Sequence, residues 1–346
     1  MKKSSSVRKN ILLLVASGST ALFAVSSPAE AGVTYKDGDR YLKVGGRLQV
    51  QYHQVEPEAG TDSDELFFRR FRPFIEGSIH PDWKGKFQWD MGKSDLAVKD
   101  AYMQYSGLDA MKITVGNANF PFSRELLTSS KKQQLVERTF VGDHNYGTPD
   151  RNAGIHLTGH ATEGKKLTWG ASLASANIDP DDDKLDFDTP VNIDDDFNEG
   201  WMVGGRVDFH PFGQLEMSQG DFKRDLKATI GVGAYTWNND DDNNTRTTAG
   251  FADDPTRPDV DSVTGMEVSG AFRGAGFSVD AEYNVFNAET VDPTVTSGIY
   301  RNGETELKNY AVEAGYMVVP SRLELVAGYQ VQDADNYADE WTRTSV

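Results

Sequence analysis

Leu42-Lys43-Val44-Gly45-Gly46-Arg47-Leu48-Gln49-Val50-Gln51-Tyr52-His53 is the stretch that decides the fold class. Leu42, Val44, Leu48, Val50 and Tyr52 share one face, and Lys43, Arg47, Gln49, Gln51 and His53 share the other. Apolar and polar residues alternating with period 2 describe a strand with one greasy and one wet side. The run is about twice as long as the usual soluble strand.

The pattern recurs along the chain. Residues 67–79 set Phe71, Ile75 and Ile79 against Arg70, Arg72, Glu76 and Ser78, with Pro73 signalling an edge or a bulge. Further runs lie at 84–92, 97–106, 111–116, 151–159, 166–176, 201–209, 227–235, 264–273, 277–285, 310–318 and 322–331. That predicts thirteen strands, with 341–346 as the start of a fourteenth. The gaps alternate too: tight ones at 80–83, 107–110, 274–276 and 319–321 intersperse long ones at 53–65, 117–150, 177–200, 236–263 and 286–309. Short turns at one end and long loops at the other describe a transmembrane antiparallel up-and-down β-barrel. Two gaps break the rule: 92–96 is short where a long one is expected, and 210–226 is long. A soluble sandwich also alternates but buries its apolar face, and it stands as the competing fold.

Residues 1–31 read as a cleavable export signal. Lys2, Lys3, Arg8 and Lys9 precede an apolar run at 11–25, and Ala29-Glu30-Ala31 supplies the cleavage site, so the mature chain starts at Gly32. An exported β chain that spans a bilayer has to pair all its backbone groups within the membrane. Aromatic residues near strand ends (Tyr41, Tyr52, Trp83, Tyr105, Trp237, Tyr316, Tyr329) fit the interfacial girdles of such a barrel. The pattern breaks off inside 341–346, which points to a barrel of about 16 strands incomplete at its C-terminus.

Charge is distributed unevenly. The mature chain carries 31 Lys/Arg against 52 Asp/Glu, a balance that excludes nucleic acid as a partner. Residues 32–176 have a net charge of +1 and residues 177–346 a net charge of −22, so an anion site belongs in the first part. Ten acidic residues fall between 177 and 200 with Lys184 alone opposing them, which places this stretch outside the cell. There it is either solvated or bridged to lipopolysaccharide through divalent cations. Cysteine is absent, which removes disulfides and thiolate metal sites. The six histidines show no metal-ligand spacing, and no nucleophile motif occurs, so no enzyme, metal or cofactor is expected.

Residues 117–150 interrupt the strand pattern for longer than a compact protein ordinarily allows without a function. Within them, Gly116 followed by Pro121-Phe122-Ser123, Glu125, Thr128-Ser129-Ser130 and Glu137-Arg138 resembles the third-loop signature of the phosphate-selective porin O/P family. Phe68-Arg69-Arg70-Phe71-Arg72, Phe87-Gln88-Trp89-Asp90, Lys99-Asp100-Ala101-Tyr102 and Asp280-Ala281-Glu282-Tyr283 are similar to the family as well. The resemblance implies a 16-stranded outer-membrane porin, usually a homotrimer, whose third loop folds into the lumen and whose basic side chains bind phosphate-like anions. Carried onto this chain, Arg70 and Arg72 face the channel. Lys131, Lys132 and Arg124, with Thr128, Ser129 and Ser130, line the constriction. Lys43, Arg47, Lys86 and Lys112 fall on lumen faces by alternation alone. Glu76, Asp90 and Asp100 share those faces and can neutralise them. Asp208, Asp280, Glu282, Glu313 and Glu324 also point inward, which departs from a purely basic pore. Two further readings are therefore a general small-solute porin and a sheath barrel around a partner such as a multihaem cytochrome.

Overall fold

The computed structural model describes residues 31–55, 63–92, 96–179, 181–189, 199–239 and 258–346. The expected export signal lies outside these residues, except for Ala31, and so does part of the acidic stretch at 177–200. Among the described residues, sixteen strands form one antiparallel sheet in which sequence neighbours pair. They are β1 (Ala31–Asp37), β2 (Arg40–Val55), β3 (Ser63–His80), β4 (Trp83–Asp90), β5 (Ala97–Leu108), β6 (Met111–Asn119), β7 (Arg151–His160) and β8 (Leu167–Asp179). The second half holds β9 (Asp186–Asp188), β10 (Glu199–Phe209), β11 (Lys227–Asn239), β12 (Val260–Gly274), β13 (Phe277–Thr290), β14 (Glu304–Val319), β15 (Leu323–Asp333) and β16 (Trp341–Ser345). β9 pairs only with β8, and the wall continues from β8 to β10. The sequence pattern overlooked β1 and β9, and the three residues of β9 are too few to establish a period.

Exposure decides between barrel and sandwich. Leu48, Val50, Ile155, Val203, Ile230, Val232, Met266, Val268, Val279, Val312 and Leu325 stand exposed on the outer face. Many buried residues of the same strands are polar, among them Arg206, Asp208, Glu267, Ser269, Glu282, Asn309 and Glu313. A soluble sandwich would reverse that order, whereas a barrel in hydrocarbon requires it. Trp237 departs from the girdle expectation. It is fully buried, and its Nε1 donates to the Ala176 carbonyl at 2.8 Å.

β-bulges upset strict alternation at several points, two of them beside the basic residues. In the β2–β3 ladder, Gln49 pairs with Arg70 and the next pair is Val50 with Phe68, which leaves Arg69 unpaired. In the β4–β5 ladder, Gln88 pairs with Asp100 and Trp89 with Val98, which leaves Lys99 unpaired. An extra residue of this kind bends the strand and re-aims its side chain. Pro73 lies opposite Gly46 and beyond the last pair that links β3 to β4, so its missing N–H costs that ladder nothing.

Candidate functional site: a lumen narrowed by two inward segments

The segment between β6 and β7 lies inside the curve of the sheet. Side chains from β2, β10, β13 and β16 all reach it, which requires the wall to wrap around it. Buried loop backbone needs internal partners, and the later strands provide them. Asn284 Nδ2 donates to the Val141 carbonyl at 2.9 Å, and Asn309 Nδ2 to the Tyr146 carbonyl at 2.9 Å. The Phe140 N–H donates to Gln330 Oε1 at 2.9 Å, and Tyr235 Oη donates to the Gly147 carbonyl at 2.6 Å. Arg206 also donates to the Phe122 carbonyl.

The loop opens with Phe120 and Phe122, which join a buried apolar cluster inside the barrel together with Tyr235, Phe187 and Phe286. Phe122 meets Tyr235 edge-on at 4.9 Å between ring centres. A helical turn, α1 (Arg124–Leu127), follows, capped by Ser123 Oγ accepting from the Leu126 N–H at 3.1 Å. Glu125 is buried beneath it. The Thr139 N–H donates to its Oε1 at 2.9 Å, and the Thr139 hydroxyl donates to Oε2. Burial pushes the Glu125 carboxyl up, and these hydrogen bonds only partly offset the shift. Gly147 turns the chain at a φ of +89°, where an added Cβ would lie 2.6 Å from the Phe286 ring. Gly147→Ala is therefore expected to cost about 1–3 kcal/mol in backbone strain, seen as earlier thermal unfolding of the detergent-folded protein.

A second segment enters from the opposite rim. It is the long connection between β10 and β11 that broke the gap rule. Its Gln219 is buried, takes the Gln134 N–H on Oε1 at 2.7 Å, gives its own N–H to the Lys132 carbonyl at 2.9 Å, and bonds Glu313 through Nε2. Arg273 Nη2 holds the Ser218 carbonyl at 2.6 Å, and Arg124 Nη2 reaches the Glu216 carbonyl at 3.3 Å. Asp221 accepts from the Gly276 N–H at 2.7 Å. The arm of the loop that carries the predicted lysines thus rests on this segment. Excising residues 214–222 is expected to free that arm and raise single-channel conductance by roughly twofold or more, because the narrowest point governs conduction; planar-bilayer recording reads it.

Most of the bonds that anchor the two segments come from β10–β15, and the basic residues of β2–β5 meet the constriction loop from the other wall. Arg47 Nη2 donates to Ser130 Oγ at 2.9 Å, and Arg72 Nη1 approaches the same oxygen at 3.5 Å. Arg47 and Arg72 are cross-strand partners. Arg72 also pairs with Asp90 at 2.6 Å. Arg70 is buried and donates to Gln49 Oε1 at 2.9 Å, while its Nε has no partner. Among the described residues, no carboxylate pairs with Arg47 or Arg70. Lys86 is neutralised by Asp100, and Lys43 lies 5.5 Å above the Phe74 ring.

The remaining predicted residues divide between the walls. Ser129, Lys131 and Lys132 are exposed, with Lys132 3.5 Å from Glu216. Thr128 is turned inward, its hydroxyl bound to the Arg124 carbonyl at 3.0 Å. Arg124 is buried on the acidic side, 3.4 Å from Asp280, apart from the arginines of β2 and β3. Lys112 is exposed at the turn end of β6.

Three residues escaped the sequence reading. Arg69 forks onto Glu137 at 2.7 and 2.6 Å. Burial weighs against the charge on Glu137, but the hydrogen bonds and charge of Arg69, with the charge of Arg70 and a bond from Gln51, together hold the carboxyl below its usual range. Lys99 lies 3.5 Å from Asp150, and Arg151 bridges Asp100 and Asp150 at 2.8 Å each. Arg69 and Lys99 are the bulge residues, and strict alternation turns both toward lipid. Arg151 was legible only as the first residue of a strand.

The family described as phosphate-selective porin O and P matches residues 42–323. The chain belongs to that family. Membership makes it a channel of the outer membrane rather than an enzyme. A protein of Aquifex aeolicus described only as uncharacterized is 26% identical over 318 residues, covering 80% of this chain and 69% of its own. A loop-deleted outer membrane protein of Vibrio cholerae matches with a TM-score of 0.56 at 13% identity, over 88% of this chain and 86% of that one. The anion-selective porin from Comamonas acidovorans matches with a TM-score of 0.55 at 12% identity, over 88% and 82%. At these identities the likeness is one of fold.

Proposed function

We propose that this porin conducts small anions, favouring phosphate or a related oxyanion held between Arg47, Arg70 and Arg72 and the loop hydroxyl of Ser130. One observation carries the reading. Arg47 and Arg70 give their hydrogen bonds to neutral oxygens, and among the described residues no carboxylate pairs with either guanidinium. Guanidinium groups are weakly hydrated and match two phosphate oxygens at once, so they can replace part of an anion's hydration shell. Ser129, Lys131 and Lys132 are exposed and attract the ion without holding it. Thr128, Arg124, Lys43, Lys86 and Lys112 act at second hand, through loop shape or background charge.

The protein is exported by a cleaved signal and resides as a homotrimer among outer-membrane lipid and lipopolysaccharide. A trimer form of a Vibrio cholerae outer membrane protein of this fold, matched at a TM-score of 0.53, supports the assembly. Reversal potentials in planar bilayers test the selectivity. Chloride over potassium, reduced by Lys131→Glu/Lys132→Glu and competed by millimolar phosphate, is the expected result. Cation preference in the intact protein overturns it. A second reading, a general small-solute porin, is favoured by the inward Asp280 and Glu324, and it predicts anion preference without competition by phosphate.

A further inference from the structure

Away from the arginines, the constriction loop meets the segment that follows β8, and three donors converge there. Asp186 and Asp188 occupy alternate positions of β9 and so share a face. Phe187 between them turns the other way, into the apolar cluster. Backbone bonds hold the two segments in register. The Phe187 N–H donates to the His144 carbonyl at 3.1 Å, the Leu185 N–H to Asn145 at 3.2 Å, and the Gly147 N–H to Leu185 at 2.8 Å. His144 is thereby set against the carboxylates, its Nδ1 2.7 Å from Asp186 Oδ1. One donor atom from each of His144, Asp186 and Asp188 lies within 4.8 Å of the other two. Metal–ligand bonds of about 2.0–2.2 Å put donors up to about 4 Å apart, so a sub-ångström contraction closes the set around one ion.

The chemistry fits as well as the distances. Asp186 is buried, and among the described residues no group donates a hydrogen bond to the Asp188 carboxylate. The two adjacent carboxylates repel each other, and a cation between them removes that repulsion. The His144 side chain is 35% exposed, which leaves an approach for the ion and room for water ligands.

We propose that His144, Asp186 and Asp188 bind one divalent transition-metal ion, of the zinc or nickel kind, which staples the constriction loop to the segment after β8. One nitrogen and two oxygens suit such ions better than magnesium or calcium, which take oxygen alone. The ion would take the place of the proton that His144 shares with Asp186. The acidic trio Asp181, Asp182 and Asp183 nearby lacks an imidazole and serves as the control.

Equilibrium dialysis of the full-length detergent-folded protein against Zn2+, Ni2+ and Mg2+ tests the proposal. One Zn2+ or Ni2+ per chain is expected, with Mg2+ at least tenfold weaker. His144→Gln and Asp188→Asn should each weaken Zn2+ at least tenfold, and Asp182→Asn should leave it unchanged. Asp188→Asn keeps the side-chain volume, and resistance to trypsin confirms that it folds. Absence of stoichiometric binding, or an Asp188→Asn protein that binds like the unaltered one, overturns the proposal. These readouts are independent of ion selectivity, so the anion-channel reading stands or falls separately.

Discussion

Replacing Arg206 by leucine is expected to remove about 3–5 kcal/mol of stability, because a buried charge network loses the cation at its centre. Arg206 Nε and Nη2 donate to the two oxygens of Asp208 at 2.8 and 2.7 Å. Nη1 meets both oxygens of Glu267 at 2.9 Å, and Nη2 reaches Ser269 Oγ at 2.9 Å. The Arg206 side chain is 2% exposed and that of Glu267 is 0%. Leucine would leave two buried carboxylates facing each other without a counter-ion and would release the Phe122 carbonyl at the root of the constriction loop. The urea midpoint of vesicle-folded protein measures the loss. Adding Asp208→Asn and Glu267→Gln to Arg206→Leu should restore part of it. An unchanged midpoint for Arg206→Leu would show that the network carries no stability.

The second large effect concerns conduction. Arg47→Glu with Arg70→Glu is expected to lower the chloride-to-potassium permeability ratio by roughly fivefold or more. Each reversal is a two-unit change of charge, worth about 1 kcal/mol at about 7 Å through water. Two of them give about 2 kcal/mol before screening over a Debye length of about 10 Å halves the figure. Arg47→Gln with Arg70→Gln should give a smaller shift in the same direction. The reversal potential of the double glutamate variant in a salt gradient is the measurement, and an unaltered ratio removes these arginines from the conduction path.

The sequence disclosed the wall far better than its contents. Alternation in residues 42–53 and 277–285 assigns Leu48, Val50 and Val279 to lipid, because a side chain's face depends only on its own strand's period. What fills the bore depends on contacts between distant residues. Ser130 lies 83 positions from Arg47, and Gln134 lies 144 from Ser278, and no local pattern encodes such pairs. The bulges mark a second limit. Nothing in Phe68-Arg69-Arg70 announces that one residue leaves the ladder, so strict alternation turns Arg69 toward the wrong face. Trp237 misled for a related reason: a strand-end tryptophan suits a lipid interface, but here an apolar cluster inside the barrel claims it. The long connection between β10 and β11 was visible as an anomaly of length, and its inward course explains that anomaly.

The clamps on the constriction loop from β13, β14 and β15 are carboxamides: Asn284, Asn309 and Gln330 grip backbone atoms without using charge. Mobile ions in the surrounding medium do not weaken a dipole-to-dipole grip of this kind, whereas they blunt the field of the guanidinium groups across the gap. Brine should therefore strip the pore of its discrimination while leaving its bore the same width, so that size exclusion and charge preference come apart as salinity rises.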